Sequence, residues 1–225
     1  MNGNSMIMRF FIYFLILPFL FSLGFAQTSY AAPPSNPIIK KIESRYKNVH
    51  SMSAYFYQKE IIPGYSQNMV FKGYFYYKHG DGMTWFYEYP FHKKQIFKNN
   101  KLYIVNNQIK KVSVINMGKK KGGFPPNVVE VLGNLTKYFK VEAVSANSGS
   151  GTVTIELKPL VIQRAKRIYI DFNGKNFKVK SLKIITYQGQ IIMFRYKDVK
   201  LNEYIKDSVF SIHFPLDYEI MKENR

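Results

Sequence analysis

The feature that most constrains the fold is the segment from Val70 to Pro90, which predicts a β-hairpin with aromatic side chains on both faces. With a two-residue period, one face of its first strand carries Phe71, Gly73, Phe75 and Tyr77. Tyr74 and Tyr76 lie on the other face. A strand that covers a one-sided core alternates apolar with polar residues, so this hairpin has more apolar surface than such a core needs. The surplus indicates a chain that encloses or presents an apolar surface for another molecule.

The first 31 residues are predicted to be a cleaved secretory signal. Arg9 precedes an apolar run from Phe10 to Leu23, and small residues follow this run. The run is shorter than the roughly 20 residues of a membrane-spanning helix, which favours a cleaved signal over an uncleaved anchor. Cleavage after Ala31 fits the small residues best, and cleavage after Ala26 is the second choice. Residues 32–225 are then expected to form one exported domain.

Cysteine and charge limit the chemistry of this domain. The chain has no cysteine, which excludes disulfides, thiol catalysis and a lipid-modified N-terminal cysteine. The formal net charge is +19, and basic clusters occur at 93–94, 110–111 and 119–121. This charge reflects either solubility and composition or attraction to an anionic partner or membrane surface. Nucleic acid is not expected as a partner, because the chain carries an export signal.

The hydrophobic period predicts a leading helix and then a long series of strands. Asn36 and Pro37 suit the first positions of a helix, and the period changes to two after Val49. Strands are predicted at 53–62, 68–78, 83–89, 94–98, 102–106, 110–116, 137–144, 152–158, 167–172, 177–187, 190–198 and 209–214. A short helix that ends at Gly133 is predicted within 124–135. The predicted fold class is mainly β (α+β), an incomplete antiparallel β-barrel of about eleven strands with a helical lid.

Several motifs follow one another in an order that is typical of one known family. Residues 51–59 (SMSAYFYQK) are similar to its small-x-Phe-x-Gln-Lys strand, which follows a first helix. Gly73, Trp85 and Pro90 resemble its glycine and its Trp-x-x-x-x-Pro strand. Residues 209–215 (VFSIHFP) are similar to its closing Phe-x-Phe-x-Pro strand. Over about residues 36–220 the chain thus resembles the LolA family of periplasmic carriers of outer-membrane lipoproteins.

The resemblance implies a half-open barrel whose cavity binds the acyl chains of lipoproteins during transfer from the inner to the outer membrane. The implied partners are acylated lipoproteins, an inner-membrane lipoprotein-releasing ABC transporter and an outer-membrane acceptor. We expect a periplasmic monomer without cofactor, metal or catalysis. One alternative is a LolA-like module that senses lipids or lipoproteins in envelope stress regulation, although such regulators usually carry a second domain. Another is a secreted lipid hydrolase, for which Ser66 is the candidate nucleophile.

Candidate site residues follow from the predicted strand faces and helices. The expected cavity lining is Phe56, Phe71, Phe75, Tyr77, Trp85, Tyr87, Ile96, Tyr103, Ile104 and Val105. The expected lid residues are Ile38, Ile42 and Tyr46 of the first helix and Val128, Val129, Val131 and Leu132 of the central helix. For each of these residues the alternative is ordinary core packing. Where the family often has an arginine latch to the lid, the chain has His79 as the candidate latch: its imidazole can donate a hydrogen bond to a lid carbonyl but lacks guanidinium geometry.

No pattern of catalytic or metal-binding residues emerges from the sequence. The four histidines, at positions 50, 79, 92 and 213, show no His-x-x-x-His or His-Glu spacing, so no zinc site is expected. The sequence around Ser66 lacks the second glycine of a nucleophile elbow.

Overall fold

The computed structural model describes residues 36–117, 128–160 and 165–223. The predicted signal at 1–31 and the loop at 118–123 lie outside these residues. The helices are α1 (Pro37–Lys47), α2 (Val128–Gly133), α3 (Leu135–Tyr138) and a 3₁₀ helix (Asp207–Phe210). The strands are β1 (Ser51–Ile61), β2 (Met69–Lys78), β3 (Gly82–Tyr89), β4 (Lys93–Lys98), β5 (Lys101–Asn106), β6 (Lys111–Asn116), β7 (Phe139–Asn147), β8 (Thr152–Pro159), β9 (Ala165–Asn173), β10 (Val179–Thr186), β11 (Ile191–Leu201) and β12 (Glu219–Glu223).

The described strands form one sheet in the order β12-β6-β5-β4-β3-β2-β1-β11-β10-β9-β8-β7. Two antiparallel meanders, β1 to β6 and β7 to β11, meet where β1 pairs with β11. The prediction of a mainly β fold with an open antiparallel sheet is confirmed. The sheet does not close, since β12 and β7 are its edges, and it contains twelve strands rather than eleven.

Helix α1 begins where the sequence predicts. The Asn36 side chain caps it by accepting a hydrogen bond of 2.9 Å from the Ile38 backbone N–H, and Pro37 follows at the first helical position. Arg45 and Lys47 lie in the last turn, where positive charge interacts favourably with the helix dipole. Among the described residues, no helix is long and apolar enough to cross a membrane.

The sheet has two differently covered faces. We call the face that packs against α1, α2 and α3 the inner face; it includes Phe56, Phe75 and Tyr87. We call the opposite face the outer face. On strands β4 to β6 the outer face carries a second buried cluster of Ile96, Tyr103, Val105 and Val112. This separation follows from the alternation of side chains along each strand.

The predicted closing strand at 209–214 is wrong. Residues 207–210 form the 3₁₀ helix, and the extended chain that follows packs Ile212 and Phe214 onto the outer face instead of pairing with a strand. The period-two pattern is therefore satisfied by side-chain packing alone. The last strand is β12, which pairs parallel with β6, with Ile220 opposite Val112. The predicted central helix ends at Gly133, as α2 does, and the short helix α3 follows after Asn134; the part before Val128 lies outside the described residues.

Candidate functional site

Helix α1 lies on the inner face and is attached by one aromatic residue. Ile39, Ile42 and Tyr46 are its buried residues. The Tyr46 hydroxyl accepts a hydrogen bond of 2.9 Å from the backbone N–H of Val179, and its ring contacts Phe172 edge-on. Burial raises the pKa of Tyr46 to about 12, with the Val179 hydrogen bond opposing the shift. Tyr46 therefore remains a neutral phenol that fixes the C-terminal part of the helix to the sheet.

The central helices complete the cover of the inner face. The Glu43 carboxylate of α1 accepts hydrogen bonds from the Thr136 backbone N–H at 2.9 Å and from its hydroxyl at 3.0 Å. Gly133 lies so close to α1 that an added Cβ would be 3.1 Å from the Lys47 nitrogen. A few polar contacts thus join α1 to α2 and α3, which we call together the lid helices.

The predicted lid residues all pack against the inner face. Ile42, Tyr46, Val129 and Leu132 are buried in the core cluster, and Ile38 and Val128 are partly buried against it. Val131, also predicted, is buried in the same cluster, and the prediction missed two residues that make the same contact, Ile39 and Leu135.

Seven of the ten predicted lining residues lie on the inner face. Phe56, Phe71, Phe75, Tyr77 and Tyr87 are buried in its cluster, and Trp85 and Ile104 are partly buried against it. Ile96, Tyr103 and Val105 do not join them, because they lie on the outer face under the C-terminal segment. Since successive side chains of a strand alternate between faces, Ile104 cannot share a face with Tyr103 and Val105.

Aromatic rings cross the inner face from one meander to the other. Phe56 contacts Tyr87 edge-on with ring centroids 5.3 Å apart, and it also contacts Phe194, at 6.3 Å. Phe194 stacks on Tyr196 at 6.0 Å. The two β11 rings were not predicted as lining residues, although Phe194 and Tyr196 follow the two-residue period of a strand. The result is a continuous aromatic surface across β3, β2, β1 and β11.

Gly73 makes this ring contact possible. It lies opposite Phe56 of β1 and Tyr87 of β3 in the sheet register. A Cβ at this position would lie 1.9 Å from the carbonyl oxygen of Phe86. Glycine is therefore required by the close approach of β2 and β3, at the position between the two residues whose rings meet, Phe56 and Tyr87.

A buried polar cluster interrupts the aromatic surface at the end of β1. Glu60 is 2% exposed and lies on the same face as Phe56. Its carboxylate accepts hydrogen bonds from Nε2 of Gln58 at 2.5 Å and from Nε2 of Gln190 at 3.4 Å. Oε1 of Gln58 is buried without a hydrogen-bond partner. The sequence signal was available, because Gln58 and Glu60 occupy inward positions of a period-two strand.

The environment of Glu60 favours its neutral form. Burial raises the pKa of the Glu60 carboxyl from 4.5 to about 7, and the hydrogen bonds from Gln58 and Gln190 oppose this shift. Burial also raises the pKa of the Tyr87 hydroxyl, and the charge of Glu60 raises it further. The inner face is thus an apolar surface with one ionisable carboxyl group that titrates near neutral pH.

His79 does not form the predicted latch through its side chain. The residue lies on the exposed turn between β2 and β3, and its backbone N–H donates a hydrogen bond of 2.8 Å to the carbonyl of His50. His50 lies between α1 and β1, so the contact joins the turn to the chain beside the lid. The backbone makes this contact, because the turn directs the imidazole towards solvent.

The described residues contain no group of three or more His, Asp or Glu side chains that could hold a metal ion.

A model of the family described as outer membrane lipoprotein carrier protein LolA matches residues 47–213. The chain belongs to the LolA family. The match extends from the end of α1 into the C-terminal segment, and it includes β1 to β11.

Relatives in the LolA family match nearly the whole chain. The chain is 28% identical over 214 residues to an outer-membrane lipoprotein carrier protein of Francisella philomiragia, covering 94% of this chain and 97% of that one. It is 26% identical over 209 residues to the protein of the same name from Francisella tularensis subsp. novicida, covering 92% and 95%. A crystal structure of an uncharacterized conserved protein from Thermus thermophilus has a similar fold, with a TM-score of 0.53 and 6% identity over 83% of this chain and 97% of that one.

Proposed function

We propose that this LolA-family protein is a periplasmic carrier that binds the acyl chains of lipoproteins on its inner face and transfers them from the inner to the outer membrane. The observation that carries the proposal is the aromatic surface beneath the lid helices, in which ring contacts run without a break from Phe71 to Tyr196. Relatives of nearly the same length are named as outer-membrane lipoprotein carriers, which supports the same role here.

The energetics of the inner face suit reversible lipid binding. Burial of an acyl chain is favourable by about 0.8 kcal/mol per CH₂ group. A carrier must therefore bury the chain against apolar side chains with a free energy similar to that in the bilayer. The lid helices cover this surface when no lipid is bound. The hydrogen bond that attaches the lid to the sheet is Tyr46–Val179, with a net contribution of about 1 kcal/mol, whereas the Glu43–Thr136 hydrogen bonds join α1 to α3 within the lid. Displacing the lid also uncovers its buried apolar residues, and an acyl chain that takes their place on the inner face offsets this cost by restoring apolar contact there.

The further parts of the proposal concern location and partners. Export by the signal at 1–31 would place the protein in the periplasm. There it would accept acylated lipoproteins from an inner-membrane lipoprotein-releasing ABC transporter and deliver them to an outer-membrane acceptor. The role involves binding and release without catalysis.

The single tryptophan provides a direct test. Trp85 is the only tryptophan of the chain and packs against the inner-face cluster. A triacylated lipopeptide with brominated acyl chains should quench Trp85 fluorescence in the exported protein, whereas the unbrominated lipopeptide should bind without quenching. If the protein neither retains the lipopeptide in solution nor shows quenching at saturation, the proposal is wrong.

Two matched variants separate binding from stability. Phe75→Ala removes a buried aromatic side chain from the inner face, and Tyr103→Ala removes one from the outer face. Both variants should lose about 3–5 kcal/mol of folding stability. Below their unfolding transitions, only Phe75→Ala should bind the lipopeptide more weakly. Equal weakening in the two variants would show that the inner face is not the binding surface.

A further inference from the structure

A basic pocket lies beside the N-terminal lid helix, away from the aromatic surface. It is an open pocket of about 520 Å³ between α1 and the turn that joins β9 to β10. Its lining consists of Lys40, Lys41, Ser44, Arg45, Lys175, Asn176 and Phe177. The volume falls within the usual range of small-ligand sites.

Four cationic side chains and no carboxylate line this pocket. Among the described residues, none of the ion pairs includes Lys40, Lys41, Arg45 or Lys175. The acidic residue nearest in sequence, Glu43, is hydrogen-bonded to Thr136 of α3. The positive charge of the pocket is therefore not neutralised by carboxylates of the described chain.

This pocket differs from one of the basic clusters seen in the sequence. Lys110 forms an ion pair with Asp217 at 2.7 Å, and Lys111 forms one with Glu219 at 2.8 Å. Their charge thus serves to hold the C-terminal segment against the sheet. The pocket cations have no comparable internal role, which leaves them available for an external anion.

The walls of the pocket are fixed before any ligand binds. The Asn173 side chain accepts hydrogen bonds from the backbone N–H groups of Lys175 at 2.9 Å and Asn176 at 3.1 Å. The Phe177 N–H donates to the Asn173 carbonyl at 2.8 Å, which holds Phe177 at a φ of 51°. On the other side, the Tyr46 hydroxyl binds the N–H of Val179. The position of α1 relative to the β9–β10 turn is therefore fixed before binding, which lowers the entropic cost of binding a ligand between them.

The donors that line the pocket include the guanidinium group of Arg45. Ser44 adds a hydroxyl group and Asn176 adds an amide. A phosphate group offers several acceptor oxygens, and arginine binds such groups with geometric specificity. Phe177 adds an apolar edge beside these donors.

We propose that this pocket binds the phosphate of an anionic phospholipid headgroup at a membrane surface. The combination of four cations without carboxylate partners and an adjacent aromatic ring fits a charged group attached to an apolar molecule. Binding there would bring helix α1, and with it the lid, to the membrane surface. The proposal does not depend on the cargo bound at the inner face.

The test measures partition of the exported protein onto vesicles at about 0.1 M salt. Vesicles of phosphatidylcholine with 30 mol% phosphatidylglycerol should bind the protein, and vesicles of phosphatidylcholine alone should bind it weakly. The double variant Lys41→Gln/Lys175→Gln should reduce the partition coefficient about 25-fold, since each cation near an anionic surface contributes about fivefold. Both side chains are exposed, so the fold should be retained.

The matched control is Lys158→Gln/Lys166→Gln, which removes two exposed cations at the opposite end of the β8–β9 pair. This variant should change the partition coefficient by less than threefold. An equal loss of partition coefficient in the two double variants would show diffuse attraction to the whole protein surface and would overturn the assignment of binding to the pocket. Arg45→Lys keeps the charge but removes the planar guanidinium group, and it should weaken binding about fivefold. Unchanged binding would overturn the role of the guanidinium group.

A second arm separates the lipid from free phosphate. Inorganic phosphate is titrated while the amide resonances of residues 40–45 and 174–177 are followed by NMR. Millimolar or weaker phosphate affinity together with strong vesicle binding supports the headgroup assignment. Saturable phosphate binding at the pocket without vesicle binding would overturn it.

Discussion

The buried carboxyl group of Glu60 should make the stability of the protein depend on pH. Its pKa is raised from 4.5 to about 7 in the folded state, chiefly by burial. The folded protein therefore binds the proton more tightly than the unfolded chain does. The resulting contribution to stability is present in full below pH 4.5 and disappears as the pH rises through 7.

The magnitude follows from the shift. A difference of about 2.5 pKa units, at 1.36 kcal/mol per unit, corresponds to about 3 kcal/mol between pH 4.5 and pH 8.5. The substitution Glu60→Gln removes the titration and keeps a side chain that can accept the hydrogen bonds of Gln58 and Gln190. The free energy of unfolding of Glu60→Gln, measured relative to that of the unsubstituted protein, should therefore be about 3 kcal/mol higher at pH 8.5 than at pH 4.5. For a domain of this size, this corresponds to roughly 6–12 °C in Tm.

Urea unfolding followed by Trp85 fluorescence measures the effect. The free energy of unfolding of the protein and of Glu60→Gln is determined at both pH values, and the two differences are compared. Glu142→Gln, which removes a carboxylate from the exposed edge strand β7, serves as the control for the loss of one negative charge. If the protein and Glu60→Gln differ by the same amount at pH 4.5 and pH 8.5, the reasoning about a buried, protonated carboxyl is refuted.

Three further substitutions test the packing of the sheet and its covers. Gly73→Ala should cost about 3 kcal/mol in urea unfolding, because its Cβ would meet the Phe86 carbonyl, and a loss as small as that of Gly149→Ala in an open turn would contradict the close approach. Tyr46→Phe leaves the Val179 N–H without its acceptor and should cost about 2 kcal/mol, against little for Tyr218→Phe, whose hydroxyl is exposed. Phe210→Ala should cost about 3–5 kcal/mol of folding stability and speed amide hydrogen exchange in β12. Unchanged slow exchange there would show that the pairing of β12 does not depend on the packing of Phe210.

The sequence predicted the strands of both meanders, because long period-two segments and turn residues are local signals. Strand faces were predicted well where aromatic residues occur at every second position, as at Phe71, Phe75 and Tyr77. They were predicted wrongly for β5, since Tyr103, Ile104 and Val105 are all apolar and alternation gives no preferred side. Only the C-terminal segment, which covers the outer face of β5, shows why both faces are apolar.

The buried polar and basic features depend on contacts that are distant in sequence. Glu60 is one of several charged residues in the chain, and its burial depends on the pairing of β1 with β11, which brings Gln190 beside it. The basic pocket likewise joins residues 40–45 to residues 175–177. Neither association has a signal in the local pattern, because the first results from strand pairing between the two meanders and the second from packing of α1 against the far meander.

The pairing of β1 with β11 also has a consequence for the folding rate. Within each meander, neighbouring strands are joined by short connections, so their pairing closes small loops. The central pair joins residues such as Tyr57 and Arg195, which are far apart in the chain, and its loop-closure entropy is correspondingly large. We expect the two meanders to form early and the central pair to form late. Until then, the aromatic side chains of β1 and β11 remain exposed, so the slow step of folding is also the step most open to aggregation or to capture by a holding chaperone.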